Sequence, residues 1–273
     1  YNNSLKCHYC GFSEKNQKKC LKCTSSKIDM KGYGTQQIEE QIKSFFPKAR
    51  VDRMDWDTTR GKYSVDKILE KFENSQIDVL IGTQMITKGL DFKNIGLVGV
   101  INADNILFFP NFRANEKAFQ ILTQVAGRAG RSSIKGSVII QTFSPDNNIF
   151  ELIKKQNHDG FYKKEITERN QFNYPPYYRL IKIIIKSRDL DTLRIASNWL
   201  FKSLSNGFIY PIYGPFDPHI SKIKNQFIKQ ILIKYPNTNV RNKIKKHLMR
   251  CVESFESIAK FRIVKLNIDI DPN

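Results

Sequence analysis

The chain has 273 residues, and 45 lysine and arginine residues against 26 aspartate and glutamate residues give it a formal net charge of +19. Hydrophobic residues make up 40% of the chain, enough to bury a core, which excludes a disordered basic tail. No apolar run is long enough to cross a membrane, and the N-terminus has neither an apolar leader nor an initiator Met. We therefore expect a cytoplasmic protein, and an internal piece of a longer one.

The positive charge is concentrated towards the C-terminus. Residues 174–273 hold 18 basic and 7 acidic side chains, and Asp217 is the single acid between residues 201 and 250. Such a field attracts polyanions, of which nucleic acid is the commonest in a cytoplasm. A lysine-rich composition caused by base bias in the coding sequence is the alternative explanation.

Four of the five cysteines fall within seventeen residues. Cys7 and Cys10 form one pair with two-residue spacing, and Cys20 and Cys23 form a second pair. Each pair can aim two thiolates at one tetrahedral ion, which predicts zinc. A disulfide framework is the alternative, but it requires an oxidising compartment. Cys251 lies in a helical pattern and is predicted to be a buried structural thiol.

After the cysteines, buried strands alternate with amphipathic helices over residues 30–157, which predicts an α/β domain with a parallel sheet. Its first helix is predicted to begin at a capping-box-like sequence at Thr35 and to end before Pro47. The other elements are expected, in chain order, as a strand at 51–54, a helix around 65–72, strands at 78–83 and 97–103, a helix at 116–125 and a strand at 136–142.

A second unit follows a helical connector at residues 158–178. Residues 179–273 then show the order strand, helix, strand, strand, helix, strand, which is the β-α-β-β-α-β order of ferredoxin-like α+β domains. The strands are expected at 179–186, 209–213, 227–233 and 262–270, and the helices at 192–204 and 240–255.

The octapeptide Gln124-Val-Ala-Gly127-Arg128-Ala-Gly130-Arg131 carries the strongest chemical signal. Two arginines three residues apart at the end of a helix, beside glycines that permit close backbone approach, form a clamp for a transferring phosphoryl group. Two surface arginines at a helix end are the alternative. That alternative would not require the glycines and Gln124 at these spacings.

The segment at residues 81–92 follows an apolar strand, at the carboxyl edge where open α/β sheets bind ligands. Thr83 and Gln84 can donate hydrogen bonds to a phosphodiester. Gly89 and Asp91 suit a nucleotide ribose or a metal-bound water. Taken alone, the segment is equally compatible with an ordinary turn between a strand and a helix.

In this order on one α/β sheet, the two segments resemble motifs V and VI of superfamily 2 helicases. Together with further landmarks, they resemble the primosomal protein N′ (PriA) family of bacterial replication-restart helicases over almost the whole chain. These landmarks are Gly32-Tyr-Gly34-Thr35, Arg53-Met54-Asp55, Asn102-Ala103-Asp104, Phe112-Arg113-Ala114-Asn115-Glu116, Tyr174-Pro175-Pro176-Tyr177 and Asp269-Ile-Asp271-Pro272.

The resemblance implies a RecA-like second helicase lobe that carries the cysteine region, residues 1–29, as an insertion. It implies a DNA-dependent ATPase that uses ATP and Mg²⁺, translocates 3′→5′, and binds forked and single-stranded DNA. It also implies single-stranded-DNA-binding protein and primosome loader proteins as partners, in a nucleoid-associated location. The residue roles it implies are Arg128 and Arg131 at the γ-phosphate with Gln124 nearby, Gly89 and Asp91 coupling the nucleotide to DNA, and Thr83 and Gln84 on the tracking strand.

The chain departs from the family in its nucleotide motifs. It contains neither a Gly-x-x-x-x-Gly-Lys-Ser/Thr loop nor an Asp-Glu-x-His box. Without a phosphate-cradling loop and Mg²⁺ carboxylates it is expected not to hydrolyse ATP alone, since in the family these elements belong to the first lobe. The rival hypothesis is a stand-alone zinc-dependent nucleic-acid-binding module without ATPase activity.

The resemblance also changes the expected zinc ligation. In the family, four cysteine pairs are nested, so that the outer two bind one zinc ion and the inner two bind another. Cys7 and Cys10 resemble the third pair, and Cys20 and Cys23 the fourth, which assigns them to different ions, whereas their spacing favours one four-cysteine site. The fourth pair is followed by Thr24, where the family usually has glycine.

The basic C-terminal unit resembles the family's C-terminal domain, which contacts DNA. Lys243 and Lys246 of its second helix are candidates for phosphate contacts, although a solvated helix face explains them equally well. Aromatic residues of this unit are candidates for base stacking, with core filling favoured for most of them. They are Tyr210, Tyr213, Phe216, Phe227 and Tyr235.

Overall fold

The computed structural model describes residues 4–6, 13–15, 17, 19–27, 34–55, 58–59, 64–84, 86, 95–127, 136–238 and 240–272. The chain divides into two compact units, one of residues 19–161 and one of residues 162–273 with residues 1–18. Near the N-terminus, β1 (Ser4–Lys6) and β2 (Ser13–Lys15) pair antiparallel. Within the described ranges, no helix has the length and apolar character needed to cross a bilayer.

Strands and helices alternate in the unit of residues 19–161, as predicted. β3 pairs parallel with β4, and β5 pairs parallel with β6, so the predicted parallel α/β arrangement is confirmed as two separate strand pairs among the described residues. The elements are α1 (Thr35–Phe45), β3 (Val51–Met54), α2 (Ser64–Glu73), β4 (Val79–Gly82), β5 (Leu97–Val100), α3 (Asp104–Leu107), α4 (Ala114–Ala126), β6 (Ser137–Ile140) and α5 (Asn148–Lys154).

Several local predictions in this unit are wrong in detail: α3 and α5 have no predicted counterpart, and β6 ends at Ile140 rather than at residue 142. Thr35 is not a capping residue: Gly34 is the N-cap of α1 without any side-chain cap, and the Thr35 hydroxyl donates to Asp55 instead. The strand predicted at 97–103 ends at Val100, because Asn102 takes a left-handed φ of 56° and the chain turns into α3. At Thr35 a contact with a distant residue decides the local structure, and at Asn102 a single backbone conformation ends the strand. Neither is visible in the periodicity of the sequence.

The core of this unit lies between α3, α4 and α5. Phe119 and Leu122 of α4 are almost completely buried, and so are Ile149 and Ile153 of α5. The ring of Phe119 stacks on Phe161 with 4.1 Å between centroids. Burial of this face fixes the rotation of α4, and therefore which of its side chains point to solvent.

The C-terminal unit has the predicted strand and helix order. After α6 (His158–Gln171), its strands form one antiparallel sheet in the order β11-β7-β10-β8, which is the split β-α-β arrangement, with the two-residue β9 added at the edge. The elements are β7 (Tyr178–Ser187), α7 (Leu190–Ser205), β8 (Ile212–Phe216), β9 (Lys222–Ile223), β10 (Gln226–Pro236), α8 (Arg241–Ser257), a 3₁₀ turn (Ala259–Phe261) and β11 (Lys265–Ile270).

Strand boundaries in this sheet differ from the prediction, most clearly at β8, which begins at Ile212 rather than at residue 209, and at β11. β8 runs through Gly214 and Pro215 to Phe216, because its pairing with β10 shifts register between Gln230 and Leu232 and accommodates the interruption. Gly214 has a φ of 121°, and a Cβ there would lie 2.6 Å from the Gln230 carbonyl oxygen, so the position requires glycine. β11 begins three residues late, because the 3₁₀ turn occupies residues 259–261.

Helices α7 and α8 cover one face of this sheet. Leu193 and Leu200 of α7 are fully buried against Ile183 of β7 and Ile231 of β10. Cys251 of α8 is buried in the same core, which confirms the predicted structural thiol.

Candidate nucleotide and nucleic-acid site

The carboxyl edge of β3 and β4 brings two of the sequence motifs together. Met54 pairs with Gly82 in parallel register, so the residues that follow them, Asp55 and Thr83, emerge at the same edge. A Cβ at Gly82 would lie 2.6 Å from the Met54 carbonyl oxygen, which explains the glycine at this close approach. Thr83 and the adjacent Gln84 are exposed. The structure therefore places these two predicted DNA contacts at an accessible sheet edge.

A hydrogen-bonded cluster surrounds Asp55. This residue is buried, with 7% of its surface exposed. Its carboxylate accepts hydrogen bonds from the Thr35 hydroxyl at 2.5 Å and from the Thr58 backbone N–H at 3.0 Å. The Arg53 Nε lies 3.3 Å from the same carboxylate and 3.5 Å from that of Glu39. A buried carboxylate is thus compensated by a cation and by two neutral donors, and it ties α1 to the end of β3.

Sequence reasoning assigned no role to this cluster. One local signal was present, because Asp55 is an acid directly after a buried strand. Its partner Thr35 lies twenty residues earlier, and no periodic pattern links the two positions.

The edge formed by β5 and β6 is organised differently. Asp104 accepts hydrogen bonds from the Thr142 hydroxyl and from the Phe143 backbone N–H, each at 3.0 Å. The Ala103 N–H donates to the Gln141 carbonyl oxygen at 3.0 Å. The landmark Asn102-Ala103-Asp104 therefore holds the segment that follows β6, which is a structural role.

Gln124 lies in the last turn of α4 and is exposed, whereas the next residue, Val125, is buried. The arginines predicted to clamp the phosphoryl group follow immediately in sequence. Four residues assigned to the nucleotide site, Arg128, Arg131, Gly89 and Asp91, lie outside the described residues.

Cys20 and Cys23 lie in a tight turn, and Cys7 and Cys10 lie outside the described residues. The Thr24 N–H donates to the Cys20 carbonyl oxygen at 2.8 Å. Hydrogen bonds to the Cys20 thiol, first from the Cys23 backbone N–H and then from that of Lys22, hold the pKa of this thiol below its ordinary value. Such hydrogen bonds favour the thiolate, which is the form of cysteine that binds metal ions.

A complete metal site is not defined by these cysteines alone. In the part of the chain that the structure describes, no three His, Cys, Asp or Glu side chains are grouped closely enough to hold a metal ion. Thr24 takes a left-handed φ of 56°, at the position where the usual pair has glycine.

Lys243 and Lys246 lie on the exposed side of α8. The opposite side carries Ile244 and Leu248, which are buried in the core. Neither lysine forms an ion pair with another described side chain. Both are accessible to phosphates, and lysines on a helix face that contacts only water would be placed in the same way.

Two protein families match the chain. The helicase conserved C-terminal domain matches residues 3–133, and the primosomal protein N C-terminal domain matches residues 170–273. The first match includes β3 and β4, after which the exposed Thr83 lies, and it includes α4. It therefore covers a whole domain, whereas the resemblance described above rests on separate short motifs. The fold and this match define the first unit as a RecA-like helicase lobe.

Curated proteins named replication restart protein PriA match along the length of the chain. The Bacillus subtilis protein is 39% identical over 274 residues, which cover 100% of this chain and 34% of that protein. For the Synechocystis and Chlamydia pneumoniae proteins the identity is 38% and 37%, with 98% and 100% of this chain covered and 32% and 36% of the relatives. The chain belongs to the PriA family of replication restart proteins, and it spans about a third of the length of these relatives.

Proposed function

We propose that the chain forms the second helicase lobe and the C-terminal domain of an ATP-dependent 3′→5′ DNA helicase that restarts stalled replication forks. The observation that carries this proposal is the succession of the helicase C-terminal domain and the primosomal protein N C-terminal domain in one chain. The rival, a stand-alone zinc-dependent module, does not account for the helicase lobe.

In this proposal Arg128 and Arg131 complete an ATP site that a first lobe provides. Support comes from α4, because burial of Leu122 and Val125 turns Gln124 outwards just before the two arginines. The first lobe supplies the phosphate-cradling loop and the carboxylates that hold Mg²⁺, and this chain contains neither motif. The chain alone is therefore expected to be inactive as an ATPase.

The proposed DNA contacts lie in both units. Thr83 and Gln84 would touch the tracking strand from the exposed edge of β4, and Gly89 and Asp91 would couple this edge to the nucleotide. In the C-terminal unit, Lys243 and Lys246 would meet phosphates. We extend the proposal to forked DNA, single-stranded-DNA-binding protein and primosome loader proteins as partners, in the cytoplasm at the nucleoid.

Two zinc ions per intact protein are part of the proposal. Cys20 and Cys23 would bind one ion, and Cys7 and Cys10 the other, each with a cysteine pair supplied by the preceding part of the protein. The N–H groups directed at the Cys20 thiol support ligation by this pair. We also propose the division into a cysteine region at 1–29, a helicase lobe at 30–157, a connector at 158–178 and a C-terminal domain at 179–273.

The arginine assignment is tested in the complete protein with Arg131→Ala. We expect DNA-stimulated ATP hydrolysis to fall about a thousandfold or more, because an arginine at the transferring phosphoryl group contributes on this scale. DNA binding should be retained. Lys117→Ala, on the exposed side of the same α4, is the matched control and should leave hydrolysis unchanged. Undiminished turnover in Arg131→Ala would remove the arginine from the ATP site.

A further inference from the structure

The sheet of the C-terminal unit has a face that α7 and α8 do not cover. On β7, the residues that pack against these helices are Ile181, Ile183 and Ile185, and on β10 they are Ile231 and Ile233. Because side chains alternate along a strand, the residues between them point to the opposite side. We call this side the open face. Leu180 of β7 and Ile228 of β10 lie on the same side but are buried, so the face is open mainly between them. It carries Lys182, Ile184 and Lys186 of β7, Gln230, Leu232 and Lys234 of β10, Lys265, Asn267 and Asp269 of β11, and Tyr213 and Phe216 of β8.

The open face carries more positive than negative charge, and its lysines are brought together by the strand register. Lys265 pairs directly with Lys186, so two residues of like charge lie opposite each other on neighbouring strands. Directly opposed like charges destabilise a sheet unless an anion lies between them. Neither lysine forms an ion pair with a described side chain. Asp269, opposite Lys182, is the acid that the described strands bring to this face.

Two aromatic side chains complete the open face at its β8 edge. Tyr213 pairs with Leu232, and Phe216 pairs with Gln230, which places both rings on the same side as the lysines. They are 45% and 40% exposed, in contrast to Tyr235, which is buried in the core on the other side. Exposed rings beside cations offer flat surfaces on which bases can stack.

A pocket of about 380 Å³ at one end of this face contains a buried cation. Lys234 is only 6% exposed, and its ammonium group donates to the Phe172 carbonyl oxygen at 2.8 Å. The same ammonium lies 3.5 Å from the centroid of the Tyr174 ring and 5.3 Å from that of Tyr213. No carboxylate of the described residues pairs with it, so the charge is held by one carbonyl and two rings, and burial lowers the pKa of Lys234.

We propose that the open face of the C-terminal sheet binds single-stranded DNA, with bases stacked on Tyr213 and Phe216 and backbone phosphates paired with Lys182, Lys186 and Lys265. Stacking requires unpaired bases, because the rings of a duplex are already stacked on each other, and this selects a single strand. A phosphate between Lys186 and Lys265 relieves the repulsion between them. Lys234 adds positive potential at the Tyr213 end.

This inference rests on the proposed DNA-binding function, and it adds a contact on the sheet that we expect to contribute more to single-strand affinity than α8 does. The two locations make different predictions for matched variants. The sheet variant is Lys182→Gln with Lys186→Gln and Lys265→Gln. The helix variant is Lys243→Gln with Lys245→Gln and Lys246→Gln, which removes the same charge from exposed positions of α8.

Binding of fluorescein-labelled oligothymidylate to the 273-residue chain is measured by anisotropy across a series of salt concentrations. The sheet variant is expected to bind at least about tenfold more weakly at low salt. The plot of log K against log salt should become less steep by about 2, since each phosphate contact of a single strand contributes roughly 0.7 to its steepness. The helix variant should change both quantities less. The reverse order, with both variants still folded by circular dichroism, would overturn the inference and leave DNA binding itself intact.

The stacking part is tested separately with Tyr213. Tyr213→Ala is expected to weaken binding at least about fivefold, whereas Tyr213→Phe, which keeps the ring, should bind like the wild type. An oligonucleotide containing 5-iododeoxyuridine should photo-crosslink to Tyr213 or Phe216, and crosslinks confined to α8 would contradict the proposal. Equal affinity for a duplex, or tighter binding of oligouridylate through the same residues, would overturn the choice of single-stranded DNA. No detectable binding of any oligonucleotide would contradict the proposed function of this unit as well.

Discussion

Arg179 and Asp271 are joined by charge-assisted hydrogen bonds although they lie 92 residues apart. The guanidinium Nε donates to the Asp271 carboxylate at 2.9 Å, and an Nη2–H donates to the same oxygen. The Leu180 N–H donates to the other carboxylate oxygen at 3.2 Å, and the Asp271 N–H donates back to the Leu180 carbonyl oxygen at 2.8 Å. Asp271, which directly follows β11, is thereby fastened to the start of β7.

Asp271→Asn is expected to lower the stability of the C-terminal unit by about 1 kcal/mol, because it weakens two charge-assisted hydrogen bonds at a partly exposed site. The measurement is thermal unfolding of the chain. Asp191→Asn is the control, since Asp191 forms a looser 3.8 Å contact with Arg194 at the surface. Equal melting temperatures for the wild type and Asp271→Asn would show that the contact adds nothing to stability.

Because of the Arg179–Asp271 pair, the difference in melting temperature between the wild type and Asp271→Asn should depend on pH. Burial raises the pKa of Asp271, but the hydrogen bonds from Arg179 and Leu180 outweigh it and leave the pKa below its ordinary value. An acid with a lowered pKa in the folded state stabilises the fold above its unfolded pKa, and this stabilisation is lost as the pH falls through the folded pKa. The gap in melting temperature should therefore be constant near neutral pH and narrow below about pH 4. A gap that widens in acid would contradict the pairing.

The Asp55 cluster is expected to be a main determinant of the stability of the helicase lobe. Asp55→Ala should destabilise it by about 3 kcal/mol, because the substitution leaves Arg53 partly buried beside fewer anionic partners. Thr35→Val should cost about 1 kcal/mol, and the double variant should cost less than the sum, because both remove one hydrogen bond. Thr167→Val, an exposed helix position outside the lobe, serves as the control in urea unfolding. Strict additivity would contradict the coupling.

Zinc content separates the two arrangements of the cysteines. In the intact protein, Cys20→Ser with Cys23→Ser should lower the content from two ions to one, and the additional changes Cys7→Ser and Cys10→Ser should remove the second. If the four cysteines share a single site, either pair of changes removes the same ion. Elemental analysis of the purified protein measures this, and Cys251→Ala, in the buried core, should leave the zinc content unchanged.

Thr24 adopts a left-handed backbone conformation directly after the turn that contains Cys20 and Cys23. A residue with a Cβ at a φ of 56° carries about 1–2 kcal/mol of backbone strain, and glycine at this position would not carry it. Thr24→Gly in the intact protein is therefore expected to tighten zinc binding by about tenfold in a chelator competition. Thr24→Ala retains the Cβ and should resemble the wild type. If both variants bind zinc equally, backbone strain at this position has no effect on the site.

Local pattern was enough to predict most elements of both units. Alternating burial identified β7 and β10, and helical periodicity identified α4 and α8, because the side chains that define these patterns lie within one element. Boundaries failed where a single residue departs from the pattern, as at Asn102. The buried position of Cys251 followed from the same helical periodicity.

The sequence by itself determined the order of the elements, the family and the candidate motifs, since all of these depend on residues that are close along the chain. Only the tertiary structure decided which distant residues meet. Thr35 reaches Asp55, Lys265 lies opposite Lys186, and Lys234 is enclosed beneath Tyr174. These contacts depend on strand register and on packing between segments far apart in sequence, which no local periodicity encodes.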